Sequence, residues 1–253
     1  MDLANIPRFK DLPLNPAHPP HSAWIWGPED QLGTLNLITP DTVTLAMREV
    51  KRGRSFGLDL QLHLSHVPAS FREPLKHEIM QIAPNTNYAK SNNIIYDPLK
   101  YHVITRKQIL EIAQSSKIEF RRGDILLIRM GYTEKLASLA KEELSAVQNI
   151  NRDPYVASFP GVESSLDFLE WLWDTGFAAV GGDAPGFEAF PATEMGMHET
   201  LLSGFGMPIA EMFQLQDLAQ ECKDQGKWTF LFVSQPLNIV GAVASPPNAV
   251  AII

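Results

Sequence analysis

Residues 162–183, VESSLDFLEWLWDTGFAAVGGD, contain the pattern that decides the fold of this chain. The first part predicts a helix that ends at Gly176, because apolar residues recur in it at helical spacing: Val162, Leu166, Leu169 and Trp173. The second part is a short apolar run, residues 177–180, that predicts a buried strand and leads directly into Gly-Gly-Asp. A helix followed by a buried strand is the repeating unit of α/β proteins.

The same alternation is present upstream. Thr39 and Pro40 predict the start of a helix that reaches about Val50, because Thr is a favoured N-cap and Pro a favoured first residue. Residues 56–64 alternate between apolar and polar, which is typical of a half-buried strand. The sequence TRKQ at Thr105 fits a capping box and predicts a helix over residues 106–114.

The downstream elements complete the predicted architecture. ILLIRM (125–130) is an apolar run typical of a strand covered on both faces, and residues 134–147 read as a helix. LQDLAQECKDQGK (215–227) predicts a further helix, and WTFLFVSQPL (228–237) and NAVAII (248–253) predict two closing strands. Helices that alternate with buried strands predict an α/β fold with a mixed sheet.

Composition limits the possible functions. The chain has 253 residues, enough for one sizeable domain, and we predict a Pro-rich arm at residues 1–23 and a single domain at 24–253. The net charge of −8, without a basic cluster, argues against a nucleic-acid partner. The single cysteine, Cys222, excludes an intramolecular disulfide and a cysteine-based zinc site. Neither a signal peptide nor an apolar run of 18 residues is present, so we expect a cytoplasmic protein without a membrane partner.

Three polar residues after the buried strand are candidates for chemistry. Asp183 follows that strand directly, and ligands of α/β sheets collect beyond the carboxyl ends of strands. His198 and Glu211 are thirteen residues apart with glycines and a proline between them, so they lie on two elements joined by a turn. Together these side chains are suited to a divalent metal or to acid/base chemistry. The alternative is structural: Asp183 as a turn or capping residue, and an ordinary surface His and Glu.

The remaining histidines give weaker signals. His63 and His66 would point to opposite faces of a strand, which disfavours joint ligation. We interpret His77, in KHEI, and His102, in KYHVIT, in the same way, so all four are expected to be structural or surface residues. A Gly-x-Ser-x-Gly segment is absent, so a serine hydrolase of the α/β-hydrolase type has no support.

Several blocks in one order resemble a known family. They are WGPEDQLGTLNLITP, KHEIMQIAPN, RRGDILLIRMGYTE, PGVESSLDFLEWL, GGDAPGFEAF, MHETLL followed by PIAEMFQLQDLA, and GKWTFLFVSQPLNIVGAVASPPNAVAI. The chain resembles the cyclase family, which includes the bacterial kynurenine formamidases and isatin hydrolases, and in particular its fungal cyclase-like branch. The resemblance implies a swivelling β/α/β fold with a mixed sheet, a homodimer, a small-molecule substrate and a zinc or manganese ion.

The resemblance also assigns roles to particular residues. The late metal-binding and catalytic histidine of the family matches His198, and its late metal-binding glutamate matches Glu211. The family's strand-end aspartate matches Asp183, which with Pro185 and Phe187 is expected to shape the substrate pocket. In such enzymes the metal activates water and polarises the carbonyl group that is attacked.

One departure from the family pattern bears on activity. The principal metal motif, H-x-G-T-H-x-D-x-P-x-H or its fungal variant, is expected between KHEIMQIAPN and YDPLKYHVIT, where this chain has only TNYAKSNNII. That connector, residues 86–95, contains neither His nor Asp. Either an internal segment near residues 85–95 has been deleted, or the protein has diverged and lost catalysis. Both explanations predict weak or absent metal binding, and the loss of core strands predicts an incomplete, partly open and destabilised domain.

The sequence therefore leaves three functional hypotheses. The first is a metal-dependent amide hydrolase of the arylformamidase type, which cleaves N-formylkynurenine in tryptophan catabolism to kynurenine. The second is a catalytically inactive pseudoenzyme or truncated isoform that acts as a binding or dimerisation partner. The third is a cyclase or lyase of secondary metabolism.

Overall fold

The computed structural model of the protein describes residues 5–60, 96–153, 155–192, 195–238 and 244–253. Within them lie the α-helices Pro40–Met47, Arg106–Ser115, Tyr132–Ala137, Lys141–Arg152, Leu166–Thr175 and Gln216–Gln225. The strands are β1 Ser55–Gly57, β2 Val103–Ile104, β3 Ile125–Ile128, β4 Gly161–Val162, β5 Ala179–Gly182, β6 Ile209–Ala210, β7 Leu231–Ser234 and β8 Ala249–Ile252. Helices and buried strands alternate, which confirms the α/β class. No helix in these ranges is long and apolar enough to cross a membrane.

The described strands form three small sheets. In the central sheet, β3, β5 and β6 are parallel, with Leu126 opposite Val180 and Val180 opposite Ile209. β2 and β4 form a second parallel pair, and β1, β8 and β7 form an antiparallel sheet in that order. Both types of pairing expected for a mixed sheet are thus present, distributed over separate sheets. Because β3, β5 and β6 run in the same direction, their carboxyl ends meet at one edge.

Local signals at helix ends predict the observed caps. The Thr39 hydroxyl accepts a hydrogen bond from the Thr42 amide at 3.2 Å, although that helix ends at Met47 and not near Val50. Thr105 and Gln108 form the predicted reciprocal capping box. Gly176 ends the helix Leu166–Thr175 in the left-handed conformation, with φ of 83°.

Three predicted elements differ in extent, and each difference has a local cause. Val162 belongs to β4 and not to the following helix, because Ser165 caps that helix by accepting from the Phe168 amide. The helix predicted over 134–147 is divided in two, since Glu143 accepts from the Ala140 amide at 3.0 Å and begins a new helix. β1 ends at Gly57, and the predicted strand beyond residue 60 lies outside the described residues.

The prediction that β3 is covered on both faces was wrong in part. Only Leu126 of this strand is buried, while Ile125, Leu127 and Ile128 are half-buried and line a cavity of about 840 Å³. Phe230 and Phe232 line the same cavity from beside and within β7. On the described residues, this apolar face of β3 is therefore only partly covered. The deletion itself remains a prediction, because residues 86–95 lie outside the described residues.

The beginning of the chain is built into the body of the domain. Phe9 is buried in the main core, and its amide donates to Asp174 Oδ1 at 2.9 Å. Further on, the Ala23 amide donates to the Gly204 carbonyl at 2.8 Å, and the Trp24 indole N–H donates to the Ser203 carbonyl at 2.7 Å. The Pro-rich arm therefore contacts the segment that follows His198.

Candidate active site

His198 lies between two glutamates. Its Nδ1 atom is 2.8 Å and 2.7 Å from the two carboxylate oxygens of Glu188, and its Nε2 atom is 3.0 Å from Oε1 of Glu211. The Glu188 side chain is only 9% exposed, whereas those of His198 and Glu211 are 42% and 35% exposed. The buried glutamate thus holds the inner nitrogen of the ring, and the outer nitrogen faces a carboxylate that solvent reaches.

The fold brings these residues together from separate elements. His198 immediately precedes a π-helix, Glu199–Phe205, and the Leu201 amide donates to the Met197 carbonyl at 2.8 Å. Glu211 directly follows β6, which is paired with β5 in the central sheet. The prediction that His198 and Glu211 lie on two elements joined by a turn is confirmed.

The two glutamates make His198 strongly basic. Hydrogen bonds to Glu188 and then to Glu211 raise the pKa of His198 to about 10, against the opposing effect of partial burial. Burial disfavours the ionised form of Glu188, but the hydrogen bond and the charge of His198 outweigh it and lower the pKa of Glu188. At neutral pH the metal-free site is therefore an imidazolium ion paired with carboxylates.

This pairing predicts a pH dependence of stability in the metal-free protein. Because the folded-state pKa of His198 is raised, its stabilising contribution is complete below the unfolded-state pKa of 6.5 and is lost as pH rises towards 10. The difference in urea midpoint between the wild type and His198→Gln should accordingly shrink between pH 6.5 and 10, in the presence of a chelator. A difference that stays constant over this range would contradict the ion pairing.

Asp183 directly follows β5, lies beside the carboxyl end of β3 and is wholly buried. Its Oδ1 and Oδ2 atoms accept hydrogen bonds from the backbone amides of Met130 at 2.5 Å and Gly131 at 2.7 Å. Burial raises the pKa of Asp183 to about 6, although these two hydrogen bonds and the charge of Arg129 favour ionisation. Its carboxylate thus joins the loop after β3 to the end of β5. This role resembles the structural alternative for Asp183, a turn or capping residue.

Pro185 and Phe187 lie on the same loop in different environments. Pro185 is half-buried, while Phe187 is completely buried in the main core and contacts the ring of Phe168 edge-on, with centroids 6.4 Å apart. Their contribution to a substrate pocket, like that of Asp183, remains a prediction. The large cavity beside β3 is lined by other residues of the described chain, and His198, Glu188 and Glu211 are not among them.

The donors that the structure brings together fit a divalent metal by type, since imidazole and carboxylate bind zinc and manganese. Their number is insufficient on the described residues alone. Glu188 and Glu211 approach opposite nitrogens of one ring, so they cannot share a metal with it, and the described ranges hold no group of three or more potential ligands. His198 Nε2 and Glu211 could thus supply only part of a metal site, and their role as metal ligands remains a prediction.

A sequence comparison locates the family signal. Residues 79–189 match the family model described as putative cyclase. The resemblance to the cyclase family is confirmed. No curated protein sequence matches the chain significantly.

Solved structures extend the comparison with the cyclase family to the fold. One described as a novel cyclase aligns with a TM-score of 0.71 at 22% identity, covering 90% of this chain and 98% of that one. Another, described as a potential metal-dependent hydrolase with cyclase activity, gives a TM-score of 0.34 at 20% identity, covering 62% of this chain and 67% of that one. The first alignment shows that this chain has a cyclase-type fold, whereas the second is too weak to bear on the fold.

Sequence reasoning missed Glu188 as a member of the site. The signal available was a charged residue between two apolar neighbours, Phe187 and Ala189, in a segment that follows a buried strand. A charge in such a position requires a partner, because an unpaired buried carboxylate is costly. His63, His66 and His77, interpreted as structural or surface residues, lie outside the described residues.

Proposed function

We propose that this chain is a metal-dependent amide hydrolase of the arylformamidase type, which hydrolyses the formamide of N-formylkynurenine in the conversion of tryptophan to kynurenine. The observation that carries the proposal is the orientation of His198. Its Nε2 atom faces Glu211 across 3.0 Å on a solvent-accessible side, while Nδ1 is engaged by a buried carboxylate. A histidine engaged in this way at one nitrogen is typical of metal ligands.

In this proposal His198 Nε2 and Glu211 hold the metal, with the remaining ligands supplied from elsewhere in the protein. A divalent metal so bound would act as a Lewis acid towards the formamide carbonyl and lower the pKa of water. The partial exposure of both side chains leaves room for a small substrate to approach them. The side chain of Glu211 is about one-third exposed, so its carboxylate can rotate away from His198 and contact the metal instead.

Metal content and hydrolysis test the proposal together. Protein purified with added zinc or manganese should contain about one ion per chain and hydrolyse N-formylkynurenine, and His198→Ala should lose both properties. His18→Ala is a suitable control, because His18 is a half-buried histidine of the arm that contacts Asn15 and Trp24 and lies outside the site. Wild-type protein that binds neither ion and does not hydrolyse the substrate would contradict the proposal.

The alternative function is a catalytically inactive binding or dimerisation partner. One observation favours it: the described residues bring together only two candidate metal ligands, whereas zinc sites use three or four protein ligands. Metal-free wild-type protein without hydrolytic activity would support this alternative. Ring closure of a polyketide-like substrate would instead support a cyclase of secondary metabolism, which the name of the matched family suggests.

The proposal includes the homodimer that the family resemblance implies and the cytoplasmic location that the sequence predicts. Light scattering of the purified protein tests the dimer, and subcellular fractionation tests the location. A monomeric mass at all accessible concentrations would remove the dimer from the proposal and leave the chemistry to be judged separately.

A further inference from the structure

The residues on both sides of Glu188 are hydrogen-bonded through their backbone to Val162 of β4. The Val162 amide donates to the Phe187 carbonyl at 2.9 Å, and the Ala189 amide donates to the Val162 carbonyl at 3.0 Å. Phe187 and Ala189 are themselves almost completely buried. The carboxylate therefore projects from a segment that is paired with β4 and fixed in the core.

The Glu188 carboxylate in turn receives several N–H groups from two consecutive residues. The backbone amides of Met197 and His198 donate to Oε1 at 3.0 Å and 3.2 Å, and the ring Nδ1 of His198 lies 2.8 Å and 2.7 Å from the two oxygens. An ionised carboxylate only accepts hydrogen bonds, so Nδ1 must carry the proton in this arrangement. A proton on Nδ1 leaves the lone pair of a neutral ring on Nε2.

Glu211 is the alternative hydrogen-bond acceptor for the neutral ring, since it would accept a proton carried on Nε2. Its carboxylate makes one contact of 3.0 Å with Nε2 and is exposed by about a third, so water can replace that contact. Glu188 offers two oxygens at shorter distances in a buried setting, where a hydrogen bond is stronger. The neutral ring is therefore protonated at Nδ1, and Nε2 faces the solvent-accessible side.

We infer that Glu188 is a positioning residue: it fixes the ring of His198 and keeps the proton on Nδ1, so that Nε2 is the atom presented for metal binding. Its usefulness for catalysis rests on the function proposed above. Glu188 would not itself hold the metal or the substrate, since its carboxylate contacts Nδ1, on the opposite side of the ring from Nε2. Partners of this kind change metal affinity by about 10–100-fold when they are removed.

Glu188→Gln separates this role from a purely structural one. The glutamine oxygen can still accept from the Met197 and His198 amides, so the backbone turn is preserved. Its amide group, however, donates towards Nδ1, which makes Nδ1 an acceptor and moves the proton to Nε2, where Glu211 accepts it. A role limited to the backbone turn predicts no change in the histidine ring.

Two measurements test the inference. Calorimetric titration with zinc alone should show affinity reduced about 10–100-fold in Glu188→Gln, with little change in the neighbouring control Glu199→Gln, an exposed residue. Nitrogen-15 NMR of the ring in metal-free Glu188→Gln should place the proton of the neutral ring on Nε2. Unchanged zinc affinity in Glu188→Gln would overturn the inference, and so would a proton on Nδ1 in that variant. If the wild type binds no zinc, the proposed function fails, while the NMR result still decides the role of Glu188.

Discussion

Gly161→Ala is expected to destabilise the protein by about 3 kcal/mol or more, because the new methyl group has no space. A Cβ atom at Gly161 would lie 2.1 Å from the Glu188 carbonyl carbon and 2.1 Å from the Ala189 amide nitrogen. Both are backbone atoms, which cannot move aside as the end of a side chain can. The segment that carries Glu188 must shift, so the contact with His198 should be lost along with stability.

A matched control is available in another strand. A methyl group added to Gly57 of β1 would have nothing within 4 Å, and the φ of this glycine is not positive. Gly57→Ala should therefore change stability by less than about 1 kcal/mol. Urea unfolding of both variants gives the comparison, and a Gly161→Ala midpoint equal to that of Gly57→Ala would show that the backbone near Glu188 is more adaptable than the structure indicates.

Asp183→Ala is the second substitution with a large expected effect. It removes the acceptor for the amides of Met130 and Gly131, and a buried amide without a partner costs about 1–3 kcal/mol. The expected loss for the two amides together is about 2–6 kcal/mol in the free energy of unfolding. Asp217→Ala, an exposed aspartate in the first turn of a helix, should cost about 1 kcal/mol or less. Similar unfolding midpoints for the two variants would refute the role of Asp183 as a tie between strand ends.

The pH dependence of Asp183→Asn supplies an independent signature. Burial raises the folded-state pKa of Asp183 from 3.8 to about 6, so the folded protein holds this proton more tightly than the unfolded chain does. Stability due to the protonated form is complete below pH 3.8 and is lost as pH rises to 6. Relative to Asp183→Asn, the wild type should lose at most roughly 3 kcal/mol over that interval. A gain of stability with rising pH would mean that the carboxylate is not buried as described.

Local sequence signals specified much of the secondary structure, because their causes lie within a few residues. Thr39, Thr105 and Gly176 each act on a backbone group three or four residues away, and the structure shows all three in their expected capping positions. The division of residues 134–147 was missed although its cause is also local. Apolar residues on both sides of Ser138 favour a continuous helix, whereas the hydrogen bond from the Ala140 amide to Glu143 begins a second one.

Features that depend on tertiary contacts were harder to predict from the sequence. ILLIRM has the composition of a strand covered on both faces, but composition does not show whether another element is present to cover it. Likewise, a separation of ten positions between Glu188 and His198 gives no reason to pair them until β4 fixes one and the π-helix orients the other. His198 and Glu211 were candidates from their position after the buried strand and from their match to a family pattern, whereas Glu188 required the tertiary structure.

Contacts between residues 23–34 and the end of the π-helix link the first part of the chain to the candidate site. The Thr34 amide donates to the Gly206 carbonyl at 3.2 Å, and a methyl group on Gly33 would lie only 2.2 Å from that oxygen. With the contacts of Ala23 and Trp24, the carbonyl groups of the last turn after His198 are satisfied by residues more than 170 positions earlier. These early residues therefore have no acceptor for the hydrogen bonds until most of the chain has been synthesised. A nascent chain that ends before residue 203 lacks all of these acceptor carbonyl groups, so these hydrogen bonds can form only after the segment that follows His198 has been synthesised.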